Sequence, residues 1–86
     1  MTVTFFGSVQ EYTSGDKTFS SADARSLRIL IEQLGEHYGD RFKAFLTGDD
    51  ACIFLVNGKS IAMTGGLDTP LGSDDTVDVL PFVPGG

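Results

Sequence analysis

The first residues of the chain alternate between polar and apolar side chains, which is typical of a strand that buries one face. Over Thr2 to Phe6 this alternation predicts that Val3 and Phe5 point inward, whereas Phe6 points outward. A turn signal, Thr-Ser-Gly-Asp, follows in a polar stretch. Lys17 to Ser20 then predicts a short second strand that pairs with the first in a hairpin.

A spacing of three to four residues replaces the alternation further along the chain. Apolar side chains recur there at offsets typical of an amphipathic helix, namely Leu27, Leu30, Ile31, Leu34 and Tyr38. Ser26 or Asp23 is predicted to cap the first turn, and Gly39 to end the helix. Gly35 is expected to weaken the helix interior slightly.

The second half of the chain again predicts strands. Cys52 to Val56 is a continuous apolar run, which indicates an interior strand. Asn57-Gly58 predicts a tight turn with positive φ, and Ser60 to Met63 a short return strand. Thr76 to Leu80 is expected to be the last strand, ended by Pro81, which has no N–H to donate.

In this last strand, Val77 and Val79 are predicted to point inward, and Asp78 and Leu80 outward. The chain of 86 residues has room for one core. We therefore expect an α+β domain over residues 1–81, with a mixed sheet of four to five strands packed on one main helix. The first and last strands are predicted to be parallel neighbours at its centre. Residues 82–86 are expected to be an extended, flexible C-terminal tail.

The charge is acidic, with 6 basic and 12 acidic residues and a net charge of −6, which disfavours nucleic acid as a partner. No basic residue follows Lys59, where four aspartates fall, so these carboxylates either solubilise the surface or steer a basic partner. No apolar run is long enough for a membrane span, and there is no leader-like N-terminus. With a single cysteine, these features predict a cytoplasmic protein without membrane association.

Side chains that commonly carry catalysis are scarce. His37 and Cys52 are the one histidine and the one cysteine, and we expect His37 on the surface and Cys52 as a small buried residue. Neither a zinc cage nor a Cys–His pair is supported by single residues of each type. No phosphate-binding or dinucleotide motif occurs, so no metal and no permanently bound cofactor is predicted.

The end of the sequence offers a different chemistry. Pro81 and Pro84 favour an extended course that leads to Gly85 and Gly86, two residues without a Cβ. Such a tail is thin enough to enter a narrow cleft. Its terminal carboxylate is free of steric cover, so partners could perform the chemistry on it.

An apolar patch is predicted beside this tail. Phe6 and Leu80, together with Leu55, are expected to point away from the helix and to form one exposed row, with Phe82 grouped beside them. The row is either a partner surface or ordinary exposed apolar area.

Several segments together resemble a known family. They are Val3 to Glu11, the Leu27/Leu30/Leu34 helix, Phe54 to Lys59, and Leu71 through Pro81 to the terminal Gly85-Gly86. The chain resembles the MoaD/ThiS sulfur carriers, which have the ubiquitin-like β-grasp fold. Its length favours the small-subunit type of molybdopterin synthase.

The resemblance implies that the chain is not an enzyme on its own. An ATP-dependent, ubiquitin-activator-like adenylating enzyme would activate Gly86, and a cysteine desulfurase or rhodanese type of donor would supply sulfur to form a thiocarboxylate. The molybdopterin synthase large subunit would then receive the tail, and the sulfur would build the dithiolene that binds molybdenum or tungsten. In this family resemblance Phe6, Leu55 and Leu80 match the patch that docks partners.

Two features depart from the usual family pattern. The tail has the order Pro81-Phe82-Val83-Pro84 in place of two early prolines, and the segment from Ser60 to Leu71 is longer. Three alternatives stay open. One is a sulfur carrier for another product, such as thiazole, cysteine, a thiolated tRNA base or a specialised metal cofactor. The others are a protein modifier that forms isopeptide bonds and a β-grasp module with an inert end.

Overall fold

The computed structural model describes residues 1–48 and 52–82. They form one five-stranded mixed sheet with two α-helices on one face. The strand order across the sheet is β2-β1-β5-β3-β4. The strands are β1 (Thr2–Phe5), β2 (Thr18–Ser20), β3 (Cys52–Val56), β4 (Lys59–Ser60) and β5 (Thr76–Pro81).

The first and last strands lie together at the centre of the sheet, as predicted. β1 and β5 run parallel, with Val3 opposite Val77 and Phe5 opposite Val79. All four side chains are buried, because the alternation of both strands turns them toward the helices. β3 pairs with β5 in the antiparallel direction, and β2 and β4 form the two edges. This arrangement is the β-grasp architecture that the resemblance implied.

The predicted helix, α1, spans Leu27–Tyr38. The Ser26 side chain accepts a hydrogen bond from the backbone N–H of Ile29 at 3.3 Å, which confirms the predicted cap. At Gly39 the backbone has a φ of 108°, a value that suits glycine, and the helix ends there. The buried stripe of α1 covers the sheet with Leu27, Leu30, Ile31 and Leu34.

A second helix, α2 (Asp40–Thr47), follows directly and was not predicted. It is 8 residues long and buries only Phe42 and Leu46, spaced by one helical turn. The ring of Phe42 packs edge-on against Phe5 of the sheet, with 5.8 Å between the ring centroids. α1 is the longer helix and supplies more of the core, so it is the predicted main helix, and α2 is a second, shorter helix beside it.

Two strand boundaries also differ from the prediction. β5 continues to Pro81, which lies opposite Cys52 at the end of the ladder, where a missing N–H costs least. The return strand β4 is only Lys59–Ser60, and a 3₁₀ turn over Ile61–Met63 replaces the rest. The predicted tight turn is present, with positive φ at Asn57 and Gly58.

Neither helix of the described ranges has the length and apolar character that crossing a bilayer requires.

Candidate partner-binding face and tail exit

The sheet has one face without a helix, which we call the open face. It consists of the strand residues whose side chains alternate away from the core. Its positions follow from the strand registers and are Thr18 and Ser20, Thr2 and Thr4, Thr76, Asp78 and Leu80, Ile53 and Leu55, and Ser60. These strand positions are therefore mostly hydroxyl-bearing, and the large apolar side chains among them belong to the two strands β3 and β5.

Three large apolar side chains cross the open face in one line, which we call the apolar row. Ile53 lies opposite Leu80 in the register of β3 and β5. Phe6 continues the parallel register beside Leu80, since it is extended and its N–H donates to the Val79 carbonyl at 3.0 Å. Phe6 is 42% exposed and Ile53 is 38% exposed, so the row is open to a partner.

The apolar row differs in one member from the predicted patch. Leu55 lies opposite Asp78 and so stands in the next line of side chains, diagonal to Leu80. Ile53 takes the place that the sequence analysis gave to Leu55. Ile53 and Leu55 must share a face, because side chains alternate along β3. The all-apolar run does not show, however, which of the two lies opposite Leu80.

The start of the tail is held at the same end of the sheet. Gly7 follows Phe6 with a φ of +57°, and a Cβ built on Gly7 would lie 3.3 Å from Cγ of the Pro81 ring. Gly7 thus permits the turn after β1 and lets the chain pass closely under Pro81. Phe82 comes next and is 38% exposed. The predicted reactive residues Gly85 and Gly86, with most of the predicted tail, lie outside the described residues.

Cys52 and His37 do not form a site together. Cys52 begins β3 and is partly buried, and this burial raises the pKa of its thiol to about 11. A thiol with such a pKa is almost entirely protonated at neutral pH and is a poor nucleophile. His37 is exposed on α1, as predicted, and its ring lies 5.3 Å from that of Phe19.

Metal ligands do not converge either, within the part of the chain that the structure describes. No three side chains of the histidine, cysteine, aspartate and glutamate types lie close enough together there to hold an ion. The open face and the exit of the tail are therefore the features that distinguish this surface, and both suit binding by another protein.

Comparison with known proteins assigns the chain to a family. The model of the ThiS family matches residues 3–86, which is nearly the whole chain. No curated protein sequence matches significantly.

Solved structures with the same fold are numerous. A chain of the BexX/CysO complex of Amycolatopsis orientalis is 25% identical, with a TM-score of 0.83 over 99% of this chain and 98% of that one. Small archaeal modifier protein 1 of Methanosarcina acetivorans is 25% identical, with a TM-score of 0.79 over 99% and 94%.

A third relative comes from Helicobacter pylori, in the complex of subunits 1 and 2 of its molybdopterin-converting factor. The matched chain is 28% identical, with a TM-score of 0.65 over 99% of this chain and 96% of that one. The family match over residues 3–86 agrees with the β-grasp sheet. The chain belongs to the ThiS family and is a ubiquitin-like sulfur carrier of the ThiS/MoaD type.

Proposed function

We propose that this protein carries sulfur as a thiocarboxylate on Gly86. The observation that supports this most directly is the family match, which extends through residue 86 and so includes the Gly-Gly end. The fold supports it as well, because the chain leaves the central strand β5 at Pro81, next to the apolar row. A partner that docks on that row lies beside the start of the tail.

The chemistry takes place on the carboxyl carbon of Gly86. An adenylating partner joins the carboxylate to the α-phosphate of ATP and releases pyrophosphate. A sulfur donor then supplies sulfide, whose attack on the carbonyl carbon expels AMP and leaves the thiocarboxylate. Activation is needed because a carboxylate oxygen is a poor leaving group, and glycine at both final positions leaves the carbonyl sterically open.

For the acceptor, we propose molybdopterin synthesis, in which a larger subunit takes the tail and a pyranopterin receives sulfur. The chain of the Helicobacter pylori molybdopterin-converting factor complex, at 28% identity, supports this choice. The thiocarboxylate sulfur bonds to the pterin, and water then cleaves the bond between that sulfur and the Gly86 carbonyl carbon, which restores the carboxylate for another cycle. The ATP used for activation and the pterin that accepts the sulfur are small molecules of the cytoplasm. We therefore place the carrier there.

A second candidate has support from the overall shape. The BexX/CysO chain and the archaeal modifier match with TM-scores of 0.83 and 0.79, against 0.65 for the molybdopterin relative. The carrier would then deliver sulfur to a different acceptor, or Gly86 would form an isopeptide bond with a lysine. The first step, adenylation of Gly86, is the same in each case.

Intact mass spectrometry tests the carrier function. After incubation with ATP, the adenylating partner and a sulfide source, we expect a gain of about 16 Da, since sulfur replaces oxygen. Fragmentation should locate the gain on Gly86. The matched control is a variant lacking Gly86, which should stay folded and unchanged in mass. Absence of the gain from the wild-type protein, with a partner shown to release pyrophosphate, would overturn the proposal.

The acceptor is tested separately with the thiocarboxylate form. We expect it to lose its sulfur when mixed with a molybdopterin synthase large subunit and cyclic pyranopterin monophosphate, with dithiolene product formed. Sulfur retained there but released to another acceptor would support the second candidate. Larger covalent species that contain Gly86 linked to lysine would identify a modifier.

A further inference from the structure

The open face carries a single charged side chain among its strand positions, and that side chain is Asp78. It lies on the central strand β5, with Thr4 on one side and Leu55 on the other. Leu80 of the apolar row is the next outward residue along the same strand. Asp78 thus occupies the middle of the open face and not its rim.

No side chain of residues 1–48 and 52–82 compensates this carboxylate. The ion pairs found there, Arg28–Asp68 and Lys43–Glu32, involve helix residues. The side-chain hydrogen bonds near β5 use Asp75 and Thr76 at its other end. Asp78 is half-buried, and its side chain forms no ion pair or hydrogen bond with another side chain of the described residues.

A protein that covers the apolar row must also approach Asp78. Outward side chains two residues apart on a strand are separated by roughly 7 Å, about the width of one side chain. Removing water from an unpaired carboxylate costs free energy. A cation on the partner, placed opposite the carboxylate, offsets this cost and fixes the register of docking. A partner without such a cation would be disfavoured at this surface.

We propose that Asp78 is the specificity-determining residue of the open face, and that the adenylating partner presents an arginine or lysine side chain to it. This inference rests on the proposed function, because it assigns the occupant of the open face. Charge complementarity supports the choice: the protein has a net charge of −6, and no basic residue follows Lys59. A basic surface on the partner is attracted to this protein and then anchored at Asp78.

A role in stability alone is a poor explanation for this aspartate. Aspartate is disfavoured in strands, and here it stands between a threonine and a leucine on a central strand. Replacement by threonine should therefore make the isolated domain more stable. The proposal predicts that the same replacement weakens binding, so the two measurements move in opposite directions.

The test uses Asp78→Thr and Asp78→Asn, with Asp74→Asn as the matched control. Asp74 is exposed in the turn before β5, so its replacement changes the net charge equally without touching the open face. Binding to the purified ubiquitin-activator-like adenylating enzyme of the same organism is measured by calorimetry, and unfolding by thermal melts. We expect both Asp78 variants to bind roughly tenfold or more weakly, and the control to change by less than about twofold.

The melting temperature of Asp78→Thr should rise by a few degrees, roughly as expected for a strand-propensity gain. If Asp78→Asn binds as tightly as the wild type or more tightly, the inference is overturned, because the partner then presents no cation to Asp78. Failure of the wild-type protein itself to bind or to be adenylated would instead overturn the proposed function, and the inference with it.

Discussion

Gly35 of α1 lies directly against Lys43 of α2, so that a Cβ on residue 35 would stand 2.9 Å from the Cβ of Lys43. The same lysine reaches back to Glu32 with its ammonium group, 2.8 Å from a carboxylate oxygen. The absence of a side chain at residue 35 is therefore what allows the two helices to approach. The glycine that weakens α1 locally is a packing residue for α2.

Replacing Gly35 with alanine should consequently destabilise the domain. Alanine gains about 1 kcal/mol of helix propensity over glycine, but forcing a side chain into a close contact typically costs about 1–3 kcal/mol. We expect a net loss of about 1 kcal/mol in the free energy of unfolding, measured by urea denaturation. Lys43→Ala is the control for the ion pair, because it removes the ammonium and keeps the Cβ. An increase in stability for Gly35→Ala would contradict this packing role.

Asn57 should be sensitive for two separable reasons. Its φ is +52°, and its side chain donates to Asp75 at 2.9 Å and accepts from the Thr76 N–H at 3.0 Å. Asn57→Gly keeps the turn and loses the hydrogen bonds, so we expect a loss of about 1 kcal/mol. Asn57→Ala should cost more, since alanine also strains the left-handed backbone. If the two variants were equally stable, the left-handed backbone at residue 57 would make no separate contribution to the free energy of unfolding.

The same contact gives Asn57 an effect on acid stability. Hydrogen bonds from the Asn57 side chain and the Gly72 N–H lower the pKa of Asp75 below its ordinary value of 3.8. The stabilisation is therefore fully present above that pKa and is lost as the pH falls through the lower value of the folded state. Asn57→Gly should show a weaker loss of stability between neutral and strongly acidic pH. An unchanged acid dependence would argue against this contact.

Cys52 should make the protein sensitive to alkali and leave its carrier activity unaffected. Burial raises the pKa of the folded thiol from 9.0 to about 11, so folding disfavours the thiolate. The stability contribution is present below pH 9 and is lost as the pH rises through 11. We expect Cys52→Ala to show a smaller decline in stability over that range and the same mass gain on Gly86. A folded but inactive Cys52→Ala would assign the thiol a role in sulfur transfer.

Leu80→Asp should weaken docking without preventing folding. Leu80 lies at the centre of the apolar row, between Phe6 and Ile53, and a second carboxylate there would meet an apolar partner surface beside Asp78. We expect at least a tenfold loss of affinity for the adenylating partner, of the size seen for central interface residues. Ser20→Asp adds the same charge on the edge strand β2 and should change the affinity little. Unchanged affinity of Leu80→Asp would remove the apolar row from the proposed interface.

The sequence predicted the parts of this structure that depend on strict periodicity. Val3, Phe5, Val77 and Val79 alternate with outward residues, and the period of α1 is clear over three turns, so local pattern determined both burial and topology. α2 was missed because an eight-residue helix with two buried side chains gives too few repeats to show a period. Its packing depends on Phe5, which is distant in sequence, and on the absence of a side chain at Gly35, which no apolar period reveals.

The candidate site was likewise predictable from the sequence only in part. Phe6 and Leu80 could be placed on the open face from alternation alone, but Ile53 needed the register of β3 against β5. The packing of Gly7 on Pro81 is likewise a long-range contact that no local pattern contains. Chemistry at Gly85 and Gly86 was expected from the composition of the tail and from the family resemblance, and it remains a proposal.

The central position of β5 also determines when the domain becomes complete during synthesis. β1 leaves the ribosome first, yet its parallel neighbour β5 follows more than 70 residues later, so the middle of the sheet stays open until then. Pairings of such long range form slowly and late. A ribosome-bound or prematurely released chain that lacks β5 would leave Val3 and Phe5 uncovered on one side and would be a substrate for chaperones or proteases. The sheet can therefore be completed only after the chain has been synthesised through Pro81.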